Sequence, residues 1–152
     1  MASPSFRGRP ALLSNGMYLN VQIALRVARS PARLETLAST FTYQAGSDLD
    51  DPRPVFEYHY QRESGPEHPR CHLHIHAIPR HYTGERPFPR LHLPTRRITL
   101  EQIVWHLIHE HGVHPRRPDW HHVLWRHEAH HRDNQRHTLW PYDPPFIPPP
   151  GR

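Results

Sequence analysis

The amino-acid sequence predicts an α+β fold: a small antiparallel sheet of three to four strands packed on helices, in the order α-β-β-β-(β)-α-α. Two observations support this class. Apolar and polar residues alternate in several short segments between residues 33 and 78, as expected of half-buried strands. An apolar stripe with helical spacing, flanked by cap residues, follows at 99–112. Runs of strands followed by runs of helices are typical of α+β proteins.

The length of the chain fits one domain, because 152 residues fall within the size range of single domains. We predict a disordered N-terminus over 1–14, a single α+β domain over 15–137 and a proline-rich tail over 138–152. The tail contains Pro141, Pro144, Pro145, Pro148, Pro149 and Pro150. Such a composition favours an extended, solvated chain.

The first element of the domain is predicted to be an amphipathic helix over 17–29. Its apolar positions recur at i, i+3, i+7 and i+10, and they are Tyr18, Val21, Leu25 and Ala28. The residue before Pro31 is disfavoured in helical conformation, so we expect the helix to end there.

Strands are predicted next, at 33–44, 55–60 and 71–78, with a short one at 91–93. In each of the first two segments the aromatic side chains occupy alternate positions, which is the period of two expected of a strand. These aromatic residues are Phe41 and Tyr43 in the first, and Phe56, Tyr58 and Tyr60 in the second. We expect both sets to face the core.

Two helices close the predicted domain. Thr99 and Gln102 have the spacing of a capping box, and Gly112 lies where a helix ends. The apolar stripe between them consists of Leu100, Ile103, Val104, Leu107 and Ile108. A second helix is expected from a cap at Asp119 to about Gln135, with Trp120, Val123, Leu124 and His127 on one face.

Charge and cysteine content limit the classes of function. All 19 basic residues are arginines and the net charge is +5, which suits an anionic partner such as nucleic acid or a nucleotide. A single cysteine, Cys71, excludes an intramolecular disulfide and fits a reducing compartment, so we expect a cytoplasmic protein. We expect no membrane partner, because no segment approaches the ~18 apolar residues of a membrane span.

The predicted strand at 71–78 contains the most function-suggestive pattern. Alternate side chains of a strand share a face, so His72, His74 and His76 lie on the side opposite Leu73 and Ile75. We expect Leu73 and Ile75 to be buried. If this strand pairs antiparallel with 55–60 so that Tyr58 lies opposite Leu73, then two further polar side chains join the histidines. The resulting candidate site consists of Glu57, His59, His72, His74 and His76.

Several chemistries fit this set of side chains. Imidazole and carboxylate are zinc ligands, and the three strand histidines His72, His74 and His76 are the candidate metal ligands. The same groups suit acid–base chemistry or phosphate binding. A solvated face, enriched in histidine by coding bias, is the structural alternative.

The segment His72-Leu73-His74-Ile75-His76-Ala77-Ile78 resembles the signature of the histidine-triad nucleotide hydrolases and transferases. In that family the middle histidine attacks the α-phosphate of a nucleotide. The resemblance implies that His74 is the catalytic nucleophile and that His72 and His76 orient it and the phosphate.

A longer stretch, over about residues 40–128, resembles an uncharacterised family of small bacterial proteins. The similarity lies in an aromatic-histidine strand at 58–60, a second strand at 72–74, the segment 91–95 and the helix start at 117–120. The order of elements is also similar to small toxins of toxin–antitoxin pairs. Our first hypothesis is therefore a phosphate- or nucleic-acid-directed binding protein in a toxin–antitoxin or defence setting. Histidine-triad-like nucleotide chemistry and a metal-binding or structural module are the alternatives.

Overall fold

The computed structural model describes residues 5–27, 34–48, 53–63, 69–76 and 92–134. The chain divides into two units, residues 1–96 and 97–152. Strands occur in the first and helices in the second, which confirms the α+β class.

The first unit contains an antiparallel sheet that is larger than the three to four strands predicted. In the described part of the chain it has seven strands: β1 (Ser5–Arg7), β2 (Ala11–Leu12), β3 (Tyr18–Val27), β4 (Leu34–Gln44), β5 (Pro54–Gln61), β6 (Cys71–Ile75) and β7 (His92–Pro94). The order across the sheet is β1-β3-β4-β5-β6-β7, and β2 pairs with the start of β3 on the same side as β1. Each strand after β3 therefore pairs with the next one in the sequence.

The helix predicted over 17–29 is wrong, because residues 18–27 of this range form β3. The apolar residues of β3 also follow a period of two, at Leu19, Val21, Ile23, Leu25 and Val27. Val21 and Leu25 fit both periods, so the apolar pattern alone could not distinguish a helix from a strand. Pairing with β4 along the whole strand, from Tyr18 opposite Gln44 to Val27 opposite Leu34, selects the extended form.

The structure describes part of the predicted N-terminal segment and none of the predicted tail. Two short strands, β1 and β2, lie within residues 1–14, where we predicted disorder. The predicted tail over 138–152 lies outside the described residues, as do 77–78 of the third predicted strand.

One face of the sheet carries its apolar core. The buried apolar side chains of this face are Leu19, Phe41, Tyr43 and Phe56. The rings of Tyr43 and Phe56 stack with their centroids 5.2 Å apart, as expected of a directly opposed cross-strand pair. On β6 the burial decreases: Leu73 is half-buried, and Ile75, which we expected to be buried, is 36% exposed.

The second unit begins with the helix that the sequence predicted. Helix α1 (Leu100–Glu110) starts at Thr99, whose hydroxyl accepts a hydrogen bond from the Gln102 backbone N–H at 3.2 Å. The Gln102 side chain accepts in return from the Thr99 backbone N–H at 3.1 Å, completing the capping box. Gly112 follows the helix with a φ of +64°, a left-handed conformation that glycine adopts without steric cost.

Helix α2 (Trp120–Asn134) is joined to α1 by a buried polar contact. The Gln102 amide donates a hydrogen bond to the Glu128 carboxylate at 2.5 Å, and Glu128 is only 1% exposed. We predicted His127 on the same helix face as Val123 and Leu124, but His127 is exposed and its neighbour Glu128 is buried. A carboxylate at a core position was not expected because burying a charge is costly without a donor, which here is supplied by Gln102. Within the described residues, neither helix has the length and apolar character that crossing a membrane requires.

We expect Gln102→Ala to lower the free energy of unfolding by about 2–4 kcal/mol. The substitution removes half of the capping box, and it removes one hydrogen-bond donor from a buried carboxylate; such losses cost ~0.5–2 and ~1–3 kcal/mol respectively. Urea unfolding measures the change. In a double-mutant cycle, adding Glu128→Leu should recover part of the loss. Strictly additive effects of the two substitutions would contradict a coupling between these side chains.

Candidate functional site

The polar face of the sheet gathers the candidate residues in two rows that cross the strands. In the first row Asn20, Thr42, Glu57 and His74 lie opposite one another on β3, β4, β5 and β6. In the second row the corresponding residues are Gln22, Thr40, His59 and His72. The predicted hairpin is confirmed, because β5 and β6 pair antiparallel with Tyr58 opposite Leu73.

His76 follows the last residue of β6 and stays aligned with β5. Its backbone N–H donates a hydrogen bond to the carbonyl oxygen of Val55 at 2.9 Å. The pairing of the two strands is thus extended by one contact, and the His76 side chain reaches Glu57.

This face is more shielded than a solvated face would be. His72 is only 7% exposed, whereas Ile75 on the same strand is 36% exposed. Thr42 and Asn20 are buried as well, and Glu57, His59, His74 and His76 are half-buried. The expectation that the apolar side of β6 is the buried one is therefore wrong for Ile75.

Stacking between imidazoles accounts for part of this shielding. The centroids of the His59 and His74 rings lie 4.5 Å apart, with the ring planes inclined by 9°. His72 stacks on both, at 4.8 Å from His74 and 5.3 Å from His59. The three rings form one cluster, and His76 lies beside it at 6.2 Å from His74.

The protonation of the His72 ring is determined by a backbone contact. Its Nδ1 lies 2.8 Å from the carbonyl oxygen of Pro69. Because a carbonyl oxygen only accepts, Nδ1 must carry a proton and donate it. In the neutral ring the lone pair is then on Nε2, the nitrogen available to bind a metal ion.

Glu57 is the acidic side chain beside the cluster of histidine rings. Its Oε1 accepts a hydrogen bond from the Thr42 hydroxyl at 3.0 Å, and its Oε2 accepts one from His76 Nε2 at 2.8 Å. His59 Nε2 lies 3.7 Å from Oε2. The neighbouring His59 lowers the pKa of Glu57 most, burial opposes it, and His76 and Thr42 lower it further, to about 2. The carboxylate is therefore ionised at neutral pH.

His59 contributes an unsatisfied ring nitrogen. Its Nε2 is buried and makes no hydrogen bond within the described residues, since 3.7 Å to Glu57 is too long for one. A buried polar atom left in this way costs about 1–3 kcal/mol. Such an atom in a native site indicates a missing partner, such as a water molecule or an ion.

Two groups of side chains bring potential metal-ligand atoms within 4.8 Å of one another. One group is His59, His72 and His74, and the other is Glu57, His74 and His76. The predicted ligand set of His72, His74 and His76 does not form a single group in the described residues. Its outer members are four residues apart on an extended chain, about 13 Å, whereas each of the two groups takes one of its three side chains from β5.

Sequence reasoning missed the two groups that hold these side chains in place, Thr42 and the Pro69 carbonyl. Thr42 lies between Phe41 and Tyr43 and so faces the other side of β4, but its partner depends on the β4–β5 register, which places it opposite Glu57. No signal in the sequence identifies the Pro69 carbonyl as an acceptor, because any residue supplies one.

The low pKa of Glu57 predicts an acid-dependent loss of stability. A folded-state pKa of about 2, below the ordinary value of 4.5, stabilises the fold above pH 4.5, and this contribution disappears as the pH falls from 4.5 towards 2. The loss is at most about 3 kcal/mol. Urea unfolding of wild type and Glu57→Gln across this range measures it. We expect a shallower pH dependence in Glu57→Gln, and identical slopes would contradict the assignment.

Comparison with known proteins adds no relative. The chain matches no protein-family model, no curated protein and no solved structure. The resemblances noted in the sequence therefore stay predictions, and we infer function from the geometry of this face.

Proposed function

We propose that the protein binds a transition-metal ion, with zinc as the best fit, through the imidazoles of His59, His72 and His74. The observation that carries this proposal is the position of three potential ligand atoms within 4.8 Å of one another on two paired strands. Three histidines form a known zinc ligand set in which the fourth position takes water or another ligand.

The contact between His72 and Pro69 supports the proposal. Histidines that bind metals usually donate their second ring N–H to a carbonyl or carboxylate oxygen, which fixes the tautomer and the ring orientation. His72 makes this contact through Nδ1 at 2.8 Å. The Nε2 atom of His59 also supports the proposal, because it is buried without a hydrogen bond and an ion would supply its missing partner.

Binding would require the imidazole rings to rotate. Zinc–nitrogen bonds of about 2.0–2.1 Å place tetrahedral ligand atoms about 3.3 Å apart, closer than the present limit of 4.8 Å. The ring planes of His59 and His74 are inclined by only 9°, so their in-plane lone pairs do not yet converge. The last side-chain torsion of histidine is broad, and rotation about it costs little.

The charge of Glu57 favours a cation over a phosphate. An ionised carboxylate lies 3.7 Å from His59 Nε2 and 2.8 Å from His76 Nε2. It attracts a metal ion and repels a phosphate at the same place. Phosphate or nucleic-acid binding, our first hypothesis from the sequence, and nucleotide hydrolysis with His74 as nucleophile are therefore the alternative outcomes of the experiments below.

We expect His74→Ala to lower zinc affinity about 10- to 100-fold or more, because it removes a ligand of the cluster. Isothermal titration of the untagged, metal-free chain with zinc measures the affinity. His127→Ala is the matched control, since His127 is exposed on α2 and belongs to neither ligand group. Equal zinc affinities for wild type and His74→Ala would contradict the proposal.

Acidification should weaken zinc binding, because imidazoles must be deprotonated to act as ligands and their ordinary pKa is about 6.5. Binding of a phosphate by the same rings should instead strengthen as they become positively charged. Titrations with zinc and with a nucleoside monophosphate at pH 5.5 and 7.5 distinguish the two. Nucleotide turnover that leaves a phosphorylated or nucleotidylated His74, detected by mass spectrometry, would favour the histidine-triad hypothesis over ours.

A further inference from the structure

We propose that Glu57, His74 and His76 form a second metal position beside the first, and that the His74 imidazole bridges the two ions. This inference rests on the proposed function, since His74 is a ligand of the first ion as well. Its geometric basis is that the ligand atoms of these three side chains also lie within 4.8 Å of one another.

The Glu57 carboxylate is already oriented for this role. Oε1 accepts the hydrogen bond of the Thr42 hydroxyl at 3.0 Å, and Oε2 lies 2.8 Å from His76 Nε2. Thr42 is buried on the adjacent strand, so the carboxylate presents one oxygen to the cluster. Hydrogen bonds to ligating carboxylates are a common means of fixing their orientation. An ion between Oε2 and Nε2 would replace the proton that they now share, and that proton would pass to Nδ1 of the same ring or to solvent water.

His76 is held in place although it follows the end of β6. Its backbone N–H donates to the Val55 carbonyl at 2.9 Å, and its half-buried side chain contacts Glu57. A histidine with a fixed backbone loses less conformational freedom when it binds an ion, which favours affinity.

The order of the histidines along the strand places His74 between the two positions. His72 precedes it by two residues and His76 follows it by two, which is about 6.6 Å in each direction. An imidazole that binds one ion through each nitrogen, with bonds of about 2.0 Å, holds them about 6 Å apart. The spacing of the strand therefore matches that of a bridging ring.

The bridging ring must lose a proton, because a neutral imidazole has only one nitrogen lone pair for a metal ion. Binding through both nitrogens converts the His74 imidazole into an imidazolate, and its ring N–H proton passes to solvent water. The imidazolate and the ionised Glu57 then supply two negative charges against two divalent ions. This offsets part of the repulsion between the ions, which at about 6 Å is substantial in a partly buried site.

Titration of the metal-free chain with Co²⁺, followed by visible absorption, tests the proposal. We expect two equivalents for wild type and for the control His127→Ala, and one for His76→Ala. Glu57→Gln should also bind one equivalent, and it preserves the shape of the side chain if His76→Ala fails to fold. His74→Ala should lose both tight equivalents. Circular dichroism verifies the folding of each variant.

The outcomes separate this inference from the proposed function. One equivalent in wild type, unchanged in His76→Ala and Glu57→Gln, would overturn the second position and leave the first. No tight equivalent in wild type would overturn both. With two equivalents of Cu²⁺, a bridging ring couples the two spins and weakens the electron paramagnetic resonance signal. A signal that grows linearly to two spins would overturn the bridge.

Discussion

The antiparallel pairing of β5 with β6 is the constraint on which the site depends. This register places Glu57 opposite His74 and His59 opposite His72, so that four polar side chains meet on one face. A slip of one residue would turn every side chain of a strand to the other face. On the other face the same register places Tyr58 opposite Leu73 and Phe56 opposite Ile75. One register thus fixes which side chains meet on each face of the two strands.

The polar face is organised beyond the two strands that carry the histidines. Thr42 on β4 donates a hydrogen bond to Glu57, and Glu57 contacts His76 after the end of β6. The neighbouring His59 lowers the pKa of Glu57 most, and these two hydrogen bonds lower it further, which is why it is about 2 in spite of burial. The ionised carboxylate beside the imidazoles is the electrostatic feature on which the proposal of a cation site, rather than an anion site, rests.

Sequence patterns predicted the elements whose signals are local. The capping box of Thr99 and Gln102 located the start of α1 because its hydrogen bonds join residues three apart. The period of two gave the parity of β5 and β6, and with it the residues of the candidate site. The strand β3 was misread because its apolar residues satisfy two periods, and only the pairing with β4 decides between them. Contacts that depend on register, such as Thr42 with Glu57, could not be predicted for the same reason.

The pattern of a single strand could not predict which candidate ligand side chains come together. Alternation correctly placed His72, His74 and His76 on one face, but a strand separates its own side chains along a line. Convergence on a point needs a neighbouring strand, and His59 and Glu57 provide it from β5. Histidine content by itself was a poor guide: the helical unit carries many histidines, yet none belongs to a group of three ligand side chains in the described residues.

Metal binding at this place would also compensate for weak apolar packing. The buried apolar side chains of the sheet lie on β3, β4 and β5, whereas Ile75 on β6 and Leu93 on β7 are 36% and 41% exposed. The β6 side of the sheet therefore gains less from the hydrophobic effect, which scales with the apolar area removed from water. An ion whose ligands come from both β5 and β6 binds only when the two strands are paired, so its binding energy stabilises that pairing. The same imidazoles would then bind the ion and stabilise the pairing of β6 with β5.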